Sequence, residues 1–288
     1  MKRLRLNLPL LLGLLLALGL IAFALLPRFI TMPKLQGPLT VWQGDLLLKA
    51  PFKPGQAGHL LGTDGMGQDL LVKLLNSAWP TLQLGIGITL GRALLAIPLG
   101  LLAGWYGGRL GKFVALLASL FSAMPTMIFA LVTTEALWAI FYNGLTRPVW
   151  LVWSSYLVLI VAGFPRLAQQ VRQLTEGIRQ QPYLESAAAV GASTFRTLYR
   201  YVLPAMRTDL LVTMAAEASW VLMLLAQLGI FHLTIAQAPT WADWFGAGLF
   251  SIRTEPWLAL YPGLALGLTV ACFQLLAEGL RRRLTDHS

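Results

Sequence analysis

The stretch from Glu185 to Pro204 has the sequence Glu-Ser-Ala-Ala-Ala-Val-Gly-Ala-Ser-Thr-Phe-Arg-Thr-Leu-Tyr-Arg-Tyr-Val-Leu-Pro. It lies between long apolar segments, and Gly191 divides it into a half of small residues and a half that is basic and aromatic. Pro182 suits the first turn of a helix because it has no amide hydrogen, and glycine suits the position after a helix end because it tolerates positive φ. The pattern therefore predicts a short helix, a break and a second helix.

The second half of this stretch is predicted to be an amphipathic helix. Ser193 or Thr194 can cap it, and Arg196 and Arg200 share one face. Its apolar residues recur at steps of three and four: Phe195, Leu198, Tyr199 and Val202. Pro204 interrupts the helical hydrogen bonds and allows a bend before the next apolar segment. Such a hinged hairpin is suited to being pushed by another protein, although an ordinary interfacial loop would use the same residue types.

Composition indicates a membrane protein. Hydrophobic residues make up 57% of the sequence and charged residues only 12%, whereas soluble proteins usually carry about a quarter charged residues. A helix needs about 20 apolar residues to cross a bilayer. Six stretches approach or exceed that length: Leu8 to Leu26, Trp79 to Ala103, Phe113 to Leu137, Val149 to Phe164, Leu210 to Phe231 and Trp257 to Leu280. We therefore predict an all-α membrane protein with six transmembrane helices.

Lysine and arginine residues flank these spans unevenly, and their excess marks the cytoplasmic side. With six spans, the basic residues on one face are Lys2, Arg3, Arg5, Arg109, Lys112, Arg166, Arg172, Arg179, Arg196, Arg200, Arg207, Arg281, Arg282 and Arg283. We expect that face and both termini to be cytoplasmic. The net charge of +10 is then explained by topology and contact with anionic lipid rather than by nucleic-acid binding.

The chain divides into residues 1–78, an anchor helix with an extracytoplasmic segment, and residues 79–288, a transmembrane domain with a cytoplasmic loop over about 165–208. The outer segment is rich in proline and glycine, and it is predicted to be mostly irregular until a surface helix from Gln68 to Ser77. The first span shares a basic start and an Ala-Phe-Ala sequence with signal peptides. Its apolar run is longer than theirs, which favours an uncleaved anchor.

Two charged residues fall inside predicted spans, where an unpaired charge costs several kcal/mol. Arg92 is near the middle of the second span, and Glu217 lies partway into the fifth. We expect them to approach each other or to line a path through the membrane. A purely structural buried pair is the alternative.

The sequence contains no catalytic constellation. Gly107 to Phe113 imitates a phosphate loop but lacks its first glycine and its final hydroxyl residue, so we do not expect it to bind a nucleotide. His59, Asp64 and Asp69 invite a metal-site interpretation, but their spacing matches no standard metal loop. The glycines among them favour turns in which aspartate side chains bond the local backbone. We therefore predict that the chain is not an enzyme and binds no cofactor or metal itself.

The hairpin resembles the EAA motif of the ATP-binding-cassette (ABC) importer permeases. The matching positions are Glu185, Ala187, Gly191, Leu203 and Pro204. The sequence departs from the motif at Ser186, where the family usually has alanine, and at Tyr201, where it usually has isoleucine. Both changes are mild departures from the motif.

Three further stretches narrow the resemblance to permeases of the dipeptide, oligopeptide and nickel group, in particular the subunit type with an extra N-terminal span. They run over residues 59–69, 98–108 and 256–263. The first is similar to that subunit's outer signature, with His59, Gly62, Thr63, Asp64 and Asp69, although Leu60 and Gln68 replace its usual proline and arginine. The resemblance is poor between Trp220 and Trp241.

The resemblance implies a type I importer permease whose short cytoplasmic helix sits in a groove of a partner ATPase. The residues it assigns to ATPase coupling are Glu185, Ala187, Ala188, Gly191, Leu203 and Pro204. It implies a second permease subunit, two cytosolic ATPase domains that hold ATP and Mg²⁺, an extracytoplasmic binding protein, and a bacterial cytoplasmic membrane. Glu185 would pair with a cation of the ATPase, or it would cap or salt-bridge within its own loop.

The predicted function is import of peptides or a similar small solute, nickel included, driven by the partner ATPases. The first alternative is a secondary transporter or channel that works without an ATPase. It would require coupling charges and usually repeated halves, and neither is evident. The second is a membrane enzyme, which the absence of a nucleophile, base or metal cluster disfavours.

Overall fold

A computed structural model describes residues 7–30, 37, 39–43, 46–141, 149–184, 193–231 and 238–285. The long helices are α1 (Leu8–Leu25), α2 (Leu70–Tyr106), α3 (Gly108–Ala123), α4 (Thr126–Phe141) and α5 (Val149–Arg179). After them come α6 (Thr194–Thr197), a π-helical turn (Leu198–Val202), α7 (Leu203–Ala205), α8 (Arg207–Ile230), α9 (Trp241–Phe250) and α10 (Trp257–Thr285). A 3₁₀ turn (Leu26–Arg28) follows α1, and β1 (Thr40–Gln43) pairs antiparallel with β2 (Leu46–Lys49).

Five of these helices are long and apolar enough to cross a membrane, namely α1, α2, α5, α8 and α10. The third predicted span, over 113–137, is not one straight helix. It is divided between α3 and α4, whose axes differ by 82°. Met124 has an extended backbone, with φ −99° and ψ 132°, because the ring of Pro125 disfavours a helical residue before it. Within the described part of the chain there are therefore up to six spans, if the bent pair is taken as one.

The fourth span is longer than predicted. We expected it to end at Phe164, with a loop beginning near residue 165, but α5 passes through Pro165 and continues to Arg179. Proline removes one helical hydrogen bond, and the packing of the following turns compensates. Leu167, Ala168 and Val171 are fully buried. The non-helical part of the predicted loop therefore begins only after α5.

The start of α2 also differs from the predicted division at residue 78. The surface helix expected from Gln68 and the second span form one continuous helix from Leu70 to Tyr106. Its first turn is capped by the Asp69 carboxylate, which accepts a hydrogen bond from the Val72 amide at 3.1 Å.

The chain forms two compact units. The first contains residues 1–11, 87–218 and 273–288, and the second contains residues 12–86 and 219–272. In the first unit, α2 and α5 approach closely at two glycines of α2. A Cβ atom at Gly100 would lie 2.6 Å from the Ala168 carbonyl oxygen, and one at Gly104 would lie 2.6 Å from that of Arg172. These glycines allow close helix packing.

The second unit contains α9, a helix that was not predicted. Trp241 in its first turn is fully buried and donates its indole hydrogen to the Leu74 carbonyl oxygen at 2.8 Å. Trp244 donates to the Ser77 hydroxyl at 2.8 Å. Thr240 and Asp243 form a capping box at the helix start. That Thr-x-x-Asp pattern is the signal in the sequence that could have identified the helix.

Candidate functional site

A cluster of three charged side chains lies within the first unit. Arg92 of α2 donates from Nη1 to Glu217 Oε1 of α8 at 2.5 Å. Arg166 of α5 donates from Nη2 to the other carboxylate oxygen, Oε2, at 2.7 Å. The Arg92 and Glu217 side chains are 3% and 2% exposed, whereas that of Arg166 is 38% exposed. One buried carboxylate is thus shared by two arginines, and the cluster carries a net charge of +1.

The remaining donors of Arg92 are used as well. Its Nε and Nη2 atoms donate to the Leu159 carbonyl oxygen at 3.1 and 2.8 Å. Gly163 makes room for the guanidinium, because a side chain there would overlap it. Satisfying these donors offsets the cost of holding a charge away from water. The cluster joins α2, α5 and α8 at one point inside their membrane segments.

The structure therefore brings the predicted Arg92 and Glu217 together and adds Arg166, which the sequence analysis assigned only to the basic flank. The expected end of the fourth span at Phe164 placed Arg166 outside it. The continuation of α5 through Pro165 is what carries Arg166 to Glu217. Whether the cluster also lines a transport path remains a prediction.

The predicted coupling loop is described in part. Glu185, Ala187, Ala188 and Gly191 lie outside the described residues, so their assignment stays a prediction. Residues 182–184 form a helical turn, as the position of Pro182 predicts. Ser193 caps α6 by accepting a hydrogen bond from the Arg196 amide at 3.4 Å, which confirms the first of the two predicted caps.

The C-terminal part of the loop packs on a hydrophobic core. Leu184, Leu198, Val202 and Met206 pack with Val171 of α5, and residues of α2 border the same cluster. Pro204 lies in the first turn of α7, just after the π-helical turn, and Met206 breaks the helix before α8 begins. Leu203 is half-buried beside this core. The helix is therefore interrupted at Met206, two residues after Pro204, and the packed core supports this break, while the predicted bend at Pro204 stays a prediction.

The predicted apolar stripe of this helix is split in the structure. Leu198 and Val202 are buried, but Phe195 and Tyr199 are 80% and 68% exposed and stack with their ring centroids 6.3 Å apart. A π-helical turn changes the rotation per residue, so the four side chains do not share one face. The prediction of a single stripe is wrong, and an aromatic pair is left on the exposed side of the loop.

The outer signature residues lie together in the second unit. Asp64 Oδ1 accepts hydrogen bonds from the Met66 and Gln68 amides at 3.0 and 2.8 Å, and Oδ2 contacts Lys73 Nζ at 2.5 Å. The half-buried Glu255 interacts electrostatically with the Asp64 carboxylate. Its partial burial, and secondarily Asp64, raise the pKa of the Glu255 carboxyl.

The other signature residues fix the turn that leads into α2. The Thr63 hydroxyl accepts from the Phe52 amide at 2.9 Å, and His59 Nδ1 lies 2.6 Å from Asp69 Oδ2. Gly62 has φ +81° and lies against the Phe52 carbonyl, so a side chain would clash there. These contacts agree with the turn interpretation. Within the described ranges, no group of three His, Cys, Asp or Glu residues is placed to hold a metal ion.

Comparison with known proteins identifies the family. Residues 96–286 match the family described as "Binding-protein-dependent transport system inner membrane component". The chain belongs to this family. The match includes the loop, Arg166 and Glu217, whereas Arg92 and the outer signature precede it.

Similar curated proteins are permeases of the same kind. The chain is 29% identical to the glutathione transport system permease protein GsiD of Pectobacterium atrosepticum, over 78% of this chain and 71% of that protein. It is 29% identical to the di/tripeptide transport system permease protein DppC of Pseudomonas aeruginosa, over 82% and 76%. It is 27% identical to the peptide transport system permease protein SapC of Escherichia coli, over 79% and 74%.

The chain is therefore an ABC importer permease, a multi-pass inner-membrane protein with an all-helical transmembrane domain. As a component of a binding-protein-dependent system, it is a transport subunit and not an enzyme. The predicted fold class and family are confirmed.

Proposed function

We propose that this permease imports short peptides or small peptide-like solutes. The observation that carries the proposal is the match over residues 96–286 together with relatives named for glutathione, di/tripeptide and peptide transport, each aligned with more than three quarters of the chain. Nickel, the other cargo that the sequence resemblance suggests, has no counterpart among those three names.

The energy for transport comes from partner ATPases that bind ATP and Mg²⁺. Residues Glu185 to Pro204 form the contact with them, with Glu185, Ala187, Ala188 and Gly191 in the ATPase groove and Leu203 and Pro204 at the joint. The buried core under Leu198, Val202 and Met206 supports this assignment. Because the core is tightly packed, a movement of the loop would also move α5, α2 and α8.

The cluster of Arg92, Arg166 and Glu217 fits the same mechanism as a second joint. It ties α2, α5 and α8 together within the membrane, so that these helices tilt as one body when the loop moves. Both termini and the loop face the cytoplasm in this arrangement, and the outer signature faces the binding protein. A second permease subunit and two ATPase domains complete the assembly.

Reconstitution in proteoliposomes tests the proposal. The full complex, with its ATPases and binding protein, is loaded with ATP on the ATPase side and given labelled di- or tripeptides, with nickel in a parallel sample. We expect peptide uptake that stops when ATP is omitted. Uptake by this chain alone, without ATPases, would instead identify a secondary carrier, and ATP-dependent uptake of nickel but not peptide would overturn the proposed cargo.

A further inference from the structure

A polar groove of about 400 Å³ lies in the first unit among three membrane helices. From α5 it is lined by Gln170, Gln173 and Leu174. From α8 it is lined by Val212, Thr213 and Ala216, and from α10 by Arg281. Gln170, Gln173 and Arg281 are exposed. The groove thus combines one guanidinium and two amides with a short apolar wall.

Each of the three helices places this groove at the edge of its apolar segment. The apolar part of α5 ends at Pro165, and Gln170 follows about one turn later. The apolar part of α10 ends at Ala277, and Arg281 again follows one turn later. In α8, which runs the other way, Leu210 begins the apolar part and Thr213 lies within its first turn. We place these positions at the level of the lipid head groups, because they lie where the apolar part of each helix ends.

The acidic side chains near the groove make their hydrogen bonds and ion pairs with residues outside it. Glu278 accepts a hydrogen bond from Arg282 at 2.8 Å and also interacts electrostatically with Arg281, and Glu176 pairs with Arg172 at 3.1 Å. Glu217, next to Ala216 in α8, is shared by two arginines. Asp209, one turn before Thr213, does not line the groove. Among the residues that the structure describes, no carboxylate lines the groove, and the Arg281 guanidinium gives it a positive charge that Glu278 offsets only in part.

We propose that this groove binds the phosphate of an anionic phospholipid. Arg281 supplies the charge, and the amides of Gln170 and Gln173 donate hydrogen bonds to the phosphate or glycerol oxygens. Leu174, Val212 and Ala216 contact the first methylenes of the acyl chains. Basic pockets between membrane helices suit acidic lipid head groups. The open, half-apolar shape at head-group depth favours a lipid over the carboxylate of a transported peptide, and the site does not depend on the proposed cargo.

Native mass spectrometry of the full chain with its partner subunits tests the proposal. The complex is released from nanodiscs of phosphatidylglycerol or of phosphatidylcholine, and retained lipid is counted. We expect retained phosphatidylglycerol and little phosphatidylcholine, with Arg281→Gln lowering phosphatidylglycerol retention about fivefold. Arg283→Gln is the matched control, since Arg283 is exposed on the same helix and does not line the groove. Equal losses in both variants would mean unspecific charge attraction and would overturn the site.

A second variant keeps the test valid if Arg281→Gln does not assemble. Gln173→Glu places a negative charge in the groove, and we expect it to reduce phosphatidylglycerol retention while phosphatidylcholine retention is unchanged. Peptides with a free or an amidated C-terminus are added in separate samples. Displacement of the lipid by the free-carboxylate peptide alone would assign the groove to cargo and contradict the lipid proposal.

Discussion

Glu217 accepts hydrogen bonds from arginines of two different helices, and this sharing decides what each substitution at the cluster does. Arg92 has no access to water, with 3% of its side chain exposed, whereas Arg166 is 38% exposed. A buried charge that loses its counter-charge remains in a low-dielectric environment, but a half-exposed one can turn toward solvent or head groups. The two arginines are therefore unequal partners of one carboxylate.

Glu217→Gln is expected to destabilise the protein by about 3–5 kcal/mol, because it leaves Arg92 buried without its counter-charge. Arg166→Gln should cost less, about 1 kcal/mol or below, because its partner keeps Arg92 and its own site is partly solvated. Unfolding of the purified protein in detergent, followed by heat or denaturant, measures both. Equal stability of Glu217→Gln and the parent protein would contradict the assigned role of the pair.

Exchange of the two buried charges is not a clean test of this pair. In the variant Arg92→Glu with Glu217→Arg, the new arginine would face Arg166, so we expect incomplete rescue. Replacement of both residues by methionine removes the buried charges together. That double variant should be more stable than Glu217→Met alone, because it leaves no buried charge at position 92, whereas Glu217→Met leaves Arg92 buried without its counter-charge.

Sequence reasoning could find Arg92 and Glu217 because each interrupts a long apolar stretch, where a charge is costly unless it is paired or functional. It could not find Arg166, because Pro165 suggested a helix end and the run of polar residues after it suggested a loop. The helix continues past Pro165 because Leu167, Ala168 and Val171 of α5 are buried against α2. Packing between distant segments of this kind cannot be predicted from the helix propensity of the local sequence.

The close contact between α2 and α5 depends on glycines, and the chain provides a matched pair to test it. A Cβ atom at Gly100 would lie 2.6 Å from both the Ala168 carbonyl oxygen and Val171 Cβ, whereas one at Gly87 would meet nothing within 4 Å. Gly100→Ala should therefore destabilise the protein by about 1–3 kcal/mol. Gly87→Ala, in the same helix, should leave stability unchanged or raise it by about 0.4–1 kcal/mol.

Thermal unfolding of both variants in the same detergent measures the difference. Because the two substitutions add the same methyl group to the same helix, effects on helix propensity and detergent binding largely cancel in the comparison. A loss of the same size at both glycines would show that helix propensity, and not the contact between α2 and α5, determines the result.

Among the individual helices, the sequence predicted the bounds best where the length of the apolar segment alone determines them. The bounds of α1 and α8 differ from the predicted spans by only a few residues. The bend at Pro125 was missed because hydropathy is continuous across it, although the proline itself signals the break. The turns around Asp64 were predicted from their glycines and aspartates, since that chemistry is local.

For the molecule as a whole, the proposed mechanism depends on a cytoplasmic loop that acts on the membrane helices. The described part of that loop has the features a lever requires, namely a capped start at Ser193, a buried core and a break at Met206 before α8. The exposed Phe195 and Tyr199 lie on the side of the loop away from this core. Family membership is established over residues 96–286, and the contact with an ATPase is the proposal built on it.

Crosslinking from a single introduced cysteine tests that contact most directly. Cys272 is the only cysteine in the chain, so a Cys272→Ala background allows Phe195→Cys, at a site that is 80% exposed, to be compared with Leu60→Cys in the outer segment, which is 69% exposed. With a short bifunctional reagent in membranes that contain the whole complex, we expect Phe195→Cys to crosslink to the ATPase and Leu60→Cys not to. Modification of Phe195→Cys by an impermeant reagent from outside intact cells, without any ATPase crosslink, would contradict the mechanism.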